Sequence, residues 1–465
     1  MRNSAYNAFF QDDWRFRSGL SFNFGLRYEY LTPLREKYGR MANLDIAPNF
    51  LGVAVVTPNI PGPYTGSFPN GLVNPDKNNL APRASLAWKP RKGKSTLVRM
   101  GFGMYYNGSV YNSAANKMAQ QPPFAKTYSV NTSTAQPLSI LNGFTLVQSK
   151  SITNTFAVDR NYRVGYAQTW NVALQQDLPK SLTLELNYVG TKGTRLDMQR
   201  LPNRAAPGSP LTSEQRRLIG NATGFTFDSS DGNSIYHSGT VRVSRRFRRG
   251  ISANLNYTFS KSIDNASSVG GGGGVVVQDD RNFAAERSVS AFNRPHNLNA
   301  SWMLSTSGTP GSRASRNVWL KDWQLTGGVT LRSGGPFTAN VLGNRSDAGG
   351  SGAVGSSRAD TTGLSIDGGT FFNLAAFAIP PGTRYGNSSR NSIVGPTSSS
   401  VNASFGRTIR FGDTRRSIDL RAEGNNVFNN VTISSIGTTV NSNNYGLALN
   451  AAGMRTMTMN MRFRF

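Results

Sequence analysis

The chain has no cysteine and only two histidines in 465 residues. The first absence excludes a disulfide framework and any thiolate metal centre. The second leaves little for imidazole chemistry. His237 and His296 lie far apart, each at the start of a strand-like segment, with no partner at metal-ligand spacing. Long apolar runs are missing too: a membrane-spanning helix needs roughly 18 such residues, and segments such as Phe50–Val56 fall far short. The first residues, Met1-Arg2-Asn3-Ser4-Ala5-Tyr6, lack the charged, apolar and cleavage regions of a secretory signal. Acidic residues are scarce, 24 against 51 lysines and arginines, for a formal charge of +27. Such a charge suggests nucleic acid, but the cations do not gather in one domain or tail. They sit at the ends of regular segments: Arg15 and Arg17; Lys89, Arg91, Lys92 and Lys94; Arg245, Arg246, Arg248 and Arg249; Arg410, Arg415 and Arg416. Turns and lipid headgroups explain that distribution better than a polynucleotide.

What the chain does have is strict alternation. Hydrophobic residues make up only 37%, yet aromatics reach 10% and there are 49 glycines, a mixture that suits many strands joined by polar turns. Successive side chains of a strand point to opposite faces. In Gly19–Tyr30, Leu20, Phe22, Phe24, Leu26, Tyr28 and Tyr30 form one face and Ser21, Asn23, Gly25, Arg27 and Glu29 the other. Ile251–Phe259 and Thr96–Tyr106 repeat the pattern. Further strands are expected at Tyr6–Phe16, Arg83–Lys89, Tyr166–Leu178, Leu182–Gly190, Gly239–Phe247, His296–Leu304, Trp323–Arg332, Val401–Phe411, Ser417–Phe428 and Met454–Phe465. Their lengths match tilted bilayer-spanning strands of ~9–11 residues. Low mean hydropathy, −0.39, is compatible with a membrane barrel because only alternate residues meet lipid.

The connections alternate in length. Short ones follow the odd-numbered strands: Arg17-Ser18-Gly19, Pro90–Ser95, Pro179-Lys180, Arg248-Arg249-Gly250, the longer Ser305–Asp322, and Gly412–Arg416. Long ones intervene at Leu31–Pro82, Asn107–Gly165, Thr191–Ser238, Lys261–Pro295, Ser333–Ser400 and Asn429–Gly453. Outer-membrane barrels are built this way, with the long loops outside the cell. Rich in Asn, Ser, Gly and Pro, as in Gly270–Gly274 and Gly349–Ser357, these loops are expected to be mobile. Trp14, Tyr28, Tyr30, Trp88, Trp170, Trp302 and Trp323 lie near strand ends, where amphipathic rings form headgroup girdles.

Catalytic constellations are not found. Asp12-Asp13 would face opposite sides of a strand. Asp279-Asp280 sits in a glycine-flanked loop where a divalent ion or plain solvent would answer it, and Asp228, Asp231 and Asn233 lack the closing acid of a calcium loop. The Gly270–Gly274 run has no following Lys-Ser/Thr and is no phosphate cradle. No enzyme activity, metal or cofactor is expected.

Several stretches carry a resemblance: Ala8-Phe9-Phe10-Gln11-Asp12-Asp13-Trp14 with Leu26-Arg27-Tyr28-Glu29; Gln168-Thr169-Trp170-Asn171 with Tyr188-Val189-Gly190-Thr191-Lys192-Gly193; Tyr257-Thr258-Phe259-Ser260-Lys261-Ser262; Asn293-Arg294-Pro295-His296; and Arg421-Ala422-Glu423 with Asn426-Val427-Phe428-Asn429. Together they resemble the barrel of TonB-dependent outer-membrane receptors, most of all the subgroup with an N-terminal carboxypeptidase-regulatory-like domain. The terminal row Met457, Met459, Met461, Phe463 and Phe465 resembles the signal read by the barrel-assembly machinery.

The expectation is therefore an all-β transmembrane antiparallel barrel, incomplete, with about 13 of the roughly 22 strands that the resemblance implies. Residues 1–465 would be its C-terminal part, with plug, TonB-contacting segment, signal peptide and early strands absent. The resemblance implies energy-coupled uptake of a scarce small ligand (siderophore, oligosaccharide or peptide), the TonB complex acting through the missing plug. The alternatives are a passive porin or adhesin-type barrel, or a soluble polyanion-binding β-protein. Parity assigns Arg27, Glu29, Arg99, Asn171, Glu185, Asn254, Asn256, Arg421 and Glu423 to the lumen, facing the plug, and the alternate residues to outer-membrane lipid.

Overall fold

A computed structural model describes residues 1–58, 60–91, 95–125, 152–208, 215–222, 224–267, 277–307, 317, 319–343, 357–411 and 416–465. Lys92, Lys94, Arg415, Gly270–Gly274 and positions 349–356 lie outside the described residues. Thirteen strands form one continuous ladder: β1 (Ala5–Arg17), β2 (Leu20–Leu31), β3 (Leu80–Trp88), β4 (Leu97–Tyr106), β5 (Tyr166–Leu178), β6 (Leu182–Arg200), β7 (Thr226–Arg248), β8 (Ile251–Asp264), β9 (His296–Ser305), β10 (Trp323–Arg332), β11 (Ser398–Phe411), β12 (Arg416–Asn425) and β13 (Thr456–Arg464). Each pairs antiparallel with its neighbour in sequence, an up-and-down meander. All the short turns fall at one end of the sheet and all the long connections at the other. The β7–β8 turn shows the local chemistry: Arg249 (φ 54°) and Gly250 (φ 79°) are both left-handed, the geometry that matches strand twist in a two-residue hairpin.

Pairing register decides which side chains share a face. Opposed residues of an antiparallel pair lie on the same side, so the apolar row propagates from strand to strand. Phe24 opposes Ala84, Ala84 opposes Phe102, Phe102 opposes Trp170, and Trp170 opposes Gly190. Farther along, Val329, Val401, Leu325, Phe405, Ala422 and Met459 continue that face. Two tryptophans on it cover glycines. The indole of Trp170 lies where a Cβ of Gly190 would be, and Trp302 does the same over Gly327.

The structure departs from the sequence reading at the long connections. Thr191–Ser238 is not all loop: β6 and β7 keep pairing at its two ends as far as Phe227↔Arg200, with register shifts around Gly232. Alternation lapses there because both faces of the extension are covered, and the consecutive residues Asp197, Met198 and Gln199 are all buried. Asn107–Gly165 contains a helix, α1 (Val110–Ala119), which buries Val110, Tyr111, Ala114, Ala115 and Met118. Ser417–Phe428 stops as strand at Asn425, and Asn429–Gly453 contains the short paired strands Ile433–Ile436 and Ala448–Ala451.

The expectation of mobile loops is corrected likewise: the described parts pack into cores of their own. Met41, Leu72, Tyr111, Met118 and Phe156 join in one cluster. Leu44, Val53, Ile219 and Phe225 make a second, and Val341, Phe372, Phe377 and Ile393 a third. The large, fully buried side chains thus sit in a cap over one end of the sheet, while the sheet's apolar face stays open. Strands β1 and β13 each have a ladder neighbour on one side only among the described residues, so the sheet has two free edges.

Candidate functional site: a two-faced wall beneath a folded cap

The polar face bears a network of short-range pairs. Arg27 Nε meets Glu29 Oε1 at 2.5 Å, Arg99 Nη2 meets Glu185 Oε1 at 3.5 Å, and Arg421 Nη1 meets Glu423 Oε1 at 3.5 Å. Arg99 also donates to Gln175 Oε1 at 3.2 Å, and Arg242 to Asn254 Oδ1 at 3.2 Å. Register carries the same face across: Gln175 opposes Glu185, Glu185 opposes Arg242, and Arg242 opposes Asn256. All nine residues assigned to the lumen from the sequence therefore share one side of the sheet. Phe9 and Met303 stand on that side too, against the pattern. Two clefts open there. One of ≈210 Å³ is lined by Arg83, Tyr105, Thr169 and Asn171, and one of ≈260 Å³ at the turn end by Asp322, Arg410, Asp419 and Arg421.

On the opposite face Met457, Met459, Met461 and Phe463 project from the free edge strand, with Met459 89% exposed, and Phe465 follows with its ring 6.0 Å from that of Phe463. A contiguous apolar surface of this extent is untenable in water and favourable in hydrocarbon. Toward the loop end both histidines hydrogen-bond a tyrosine: His237 Nδ1 with Tyr188 Oη and His296 Nδ1 with Tyr257 Oη, each at 2.8 Å. Both lie on the apolar face. Asp12, unlike Asp13, lies on the apolar face and accepts from the Trp14 indole N–H.

The cap is cross-braced by ions that sequence reasoning missed. Arg390 donates to Asp264 Oδ1 at 2.6 Å, and Arg358 to Glu286 Oε1 at 2.9 Å; Glu286 is 0% exposed. Burial pushes the Glu286 carboxyl up and the Arg358 guanidinium down, each shift opposed by the other's charge. Gln278 joins this group through Gly386 O and the Arg358 N–H. Arg200 forms a second brace. Its guanidinium chelates Asp280 at 2.8 and 2.7 Å, reaches Asp231 at 3.0 Å, and lies 4.4 Å from the ring centre of Phe283. Of the four aspartates considered from sequence as cation ligands, Asp231 and Asp280 are thus committed to an arginine. Among the described residues no group of three or more acidic or histidine side chains stands ready for a metal ion.

A third group is acidic. Asp228, 2% exposed, and Asp197 lie buried in the β6–β7 extension, Asp197 accepting from Tyr162 Oη at 3.0 Å. Burial, then the charge of Asp197, raises the Asp228 carboxyl to about 7, opposed by Lys117 and Gln199. Burial likewise raises Asp197, Tyr162 and Tyr111. No pattern in the sequence joins these residues; Asp228 was noticed only as part of a failed calcium motif.

A thirteen-strand antiparallel wall, apolar on one side and ion-paired on the other, with turns at one end and a packed cap at the other, is the build of an outer-membrane β-barrel. No described helix is long and apolar enough to cross a membrane. Residues 1–458 match the outer membrane beta barrel domain family, and the chain belongs to it. It is an outer-membrane protein. No curated protein matches it in sequence. Among solved structures it is similar to the outer membrane transporter YddB from Escherichia coli, at 13% identity and TM-score 0.51, over 100% of this chain and 54% of that one. Others are a mutant of the ferric enterobactin receptor PfeA from Pseudomonas aeruginosa (12%, TM-score 0.49, 99% and 45% covered) and the siderophore receptor PiuA from Acinetobacter baumannii (9%, 0.47, 100% and 43%). The chain spans about half the length of these structures or less. The likeness to YddB is one of fold.

Proposed function

We propose that the chain is barrel wall and ligand-capturing cap of an outer-membrane receptor that takes up a scarce ligand with energy supplied by the TonB complex. The observation that carries this reading is the cap. Porin-like passage is served by an open mouth, whereas here the long connections build several hydrophobic cores and buried ion pairs over one end of the wall. Such a structure presents a fixed surface to a ligand. The ligand class is that of a siderophore, oligosaccharide or peptide. The nine polar-face residues from Arg27 to Glu423 would line the lumen and meet a plug supplied by a preceding segment.

The free edges of β1 and β13 support the same proposal. Unpaired backbone N–H and C=O groups cannot stay open in hydrocarbon, so further strands complete the wall. The row from Met457 to Phe465 would be read by the barrel-assembly machinery. The test is uptake by cells that carry or lack the gene, with labelled ferric siderophores and oligosaccharides, before and after dissipation of the proton-motive force. Gene-dependent uptake that collapses on uncoupling is expected. Gene-dependent entry unaffected by uncoupling would mark a passive barrel and overturn the proposal.

A further inference from the structure

One feature of the lipid-facing side is not accounted for by its apolar neighbours. Between β10 and β13, towards the turn end, lies a cleft of ≈500 Å³ walled by Trp323, Phe405, Arg407, Leu420, Met459 and Met461. Trp323 opposes Arg407, Arg407 opposes Leu420, and Leu420 opposes Met461, a row across four strands with one cation in it. Trp323, Phe405 and Arg407 hold one another there. Trp323 stacks on Phe405 with ring centres 4.7 Å apart and planes 14° from parallel. Its indole N–H donates to Trp319 O at 2.7 Å. The Arg407 guanidinium lies 5.2 Å from the Trp323 ring, and its Nε donates to Lys321 O at 3.3 Å, so the backbone of the exposed Lys321 borders the guanidinium.

A cation on a hydrocarbon-facing surface is costly at the bilayer centre and nearly free at the headgroup level. Beside a stacked tryptophan at the turn end, Arg407 stands where phosphates are. Arg245, on the same face near the end of β7, repeats the placement. We propose that the cleft seats one glycerophospholipid of the leaflet at the turn end. An acyl chain would lie along Phe405, Leu420, Met459 and Met461, with the phosphodiester against Arg407 and Lys321. Three arguments select this occupant. The face already meets lipid, the cleft is apolar for most of its wall, and its one guanidinium is complementary to a phosphodiester, which planar arginine binds well. A protein partner would need a larger polar rim than the cleft offers.

Native mass spectrometry of the full chain, extracted from vesicles containing phosphatidylglycerol, tests the seat. The unaltered chain and Arg407→Lys should each retain a phospholipid, while Arg407→Gln should retain about tenfold less, as expected for loss of one charge-assisted contact. Phosphatidylglycerol brominated in its acyl chains should quench tryptophan emission, and Trp323→Leu should remove much of that quenching. Undiminished retention in Arg407→Gln would overturn the proposal. So would equal quenching by a brominated maltoside detergent, which means hydrocarbon solvation alone. Retention of lipid A in place of phosphatidylglycerol would assign the cleft to the other leaflet and overturn it as well.

Discussion

Arg390 and Asp264, 126 residues apart, meet with Nη2 and Oδ1 2.6 Å from each other, both buried. The bond ties the connection after β10 to the outer end of β8. Arg390 Nε also donates to the Glu286 carbonyl at 3.0 Å, so one guanidinium gathers three points of the cap.

Replacing Arg390 by leucine should free that connection. Removing one partner of a buried pair costs ~3–5 kcal/mol because the other charge is stranded. Amide exchange between Ile393 and Phe411 should show faster opening nearest Ile393 and little change within β11. In the double variant with Asp264→Leu, much of the loss should be recovered; if it is not, the bond is not what braces the cap.

The two faces of the wall should tolerate charge differently. Phe24→Arg or Leu255→Arg places a cation in hydrocarbon at a cost of ~2–4 kcal/mol near the midplane, and the yield of heat-modifiable, membrane-assembled protein should fall sharply. Asn254→Arg, on the ion-paired face beside Arg242 Nε, should assemble nearly as well as the parent. Matching yields at Leu255 and Asn254 would refute the facing.

Asp228 gives the cap a pH dependence. Its carboxyl is raised from an ordinary 3.8 to about 7, chiefly by burial and then by Asp197. A raised acid contributes stability in full below the unfolded value and loses it as pH climbs through the folded value. Protection of the amides near Asp228 should therefore decline between about pH 4 and 7. Asp228→Asn should flatten that decline, and an unchanged slope in the variant would assign it elsewhere. The neighbouring Asp159, Asp197, Tyr162 and Lys117 are the other groups to control.

Gly327 is required by Trp302. Any Cβ there would occupy the indole's position, so Gly327→Val should displace the ring or the strand, an overpacking cost of ~1–3 kcal/mol. Tryptophan emission should shift to the red as the ring moves towards headgroups. Gly239, with open space around its Cα, should accept valine without that shift.

The wall was legible in the sequence and the cap was not, for one physical reason. Leu20 to Tyr30 must alternate because lipid and water lie on opposite sides, and that demand writes period two into every strand. Nothing imposes a period on Met41, Leu72, Phe225 or Ile393. They are buried by partners scattered over the chain, so each looks like an isolated apolar residue in a polar loop. The same holds for charge. Arg27 and Glu29 are two residues apart and declare each other, whereas Arg358 finds Glu286 across 72. Past Gly190 the alternation stops because cover arrives on both sides, and a strand with no solvent face reads as a loop.

The buried braces have a consequence for how such a mouth can change over time. Exchanges in its outer skin, at Tyr38, Leu364 or Val394, disturb little, since exposed positions typically shift stability by no more than ~0.5 kcal/mol. Arg200, Arg358 and Arg390 hold the scaffold from beneath. The outer surface can therefore drift across generations on a frame that need not be redesigned.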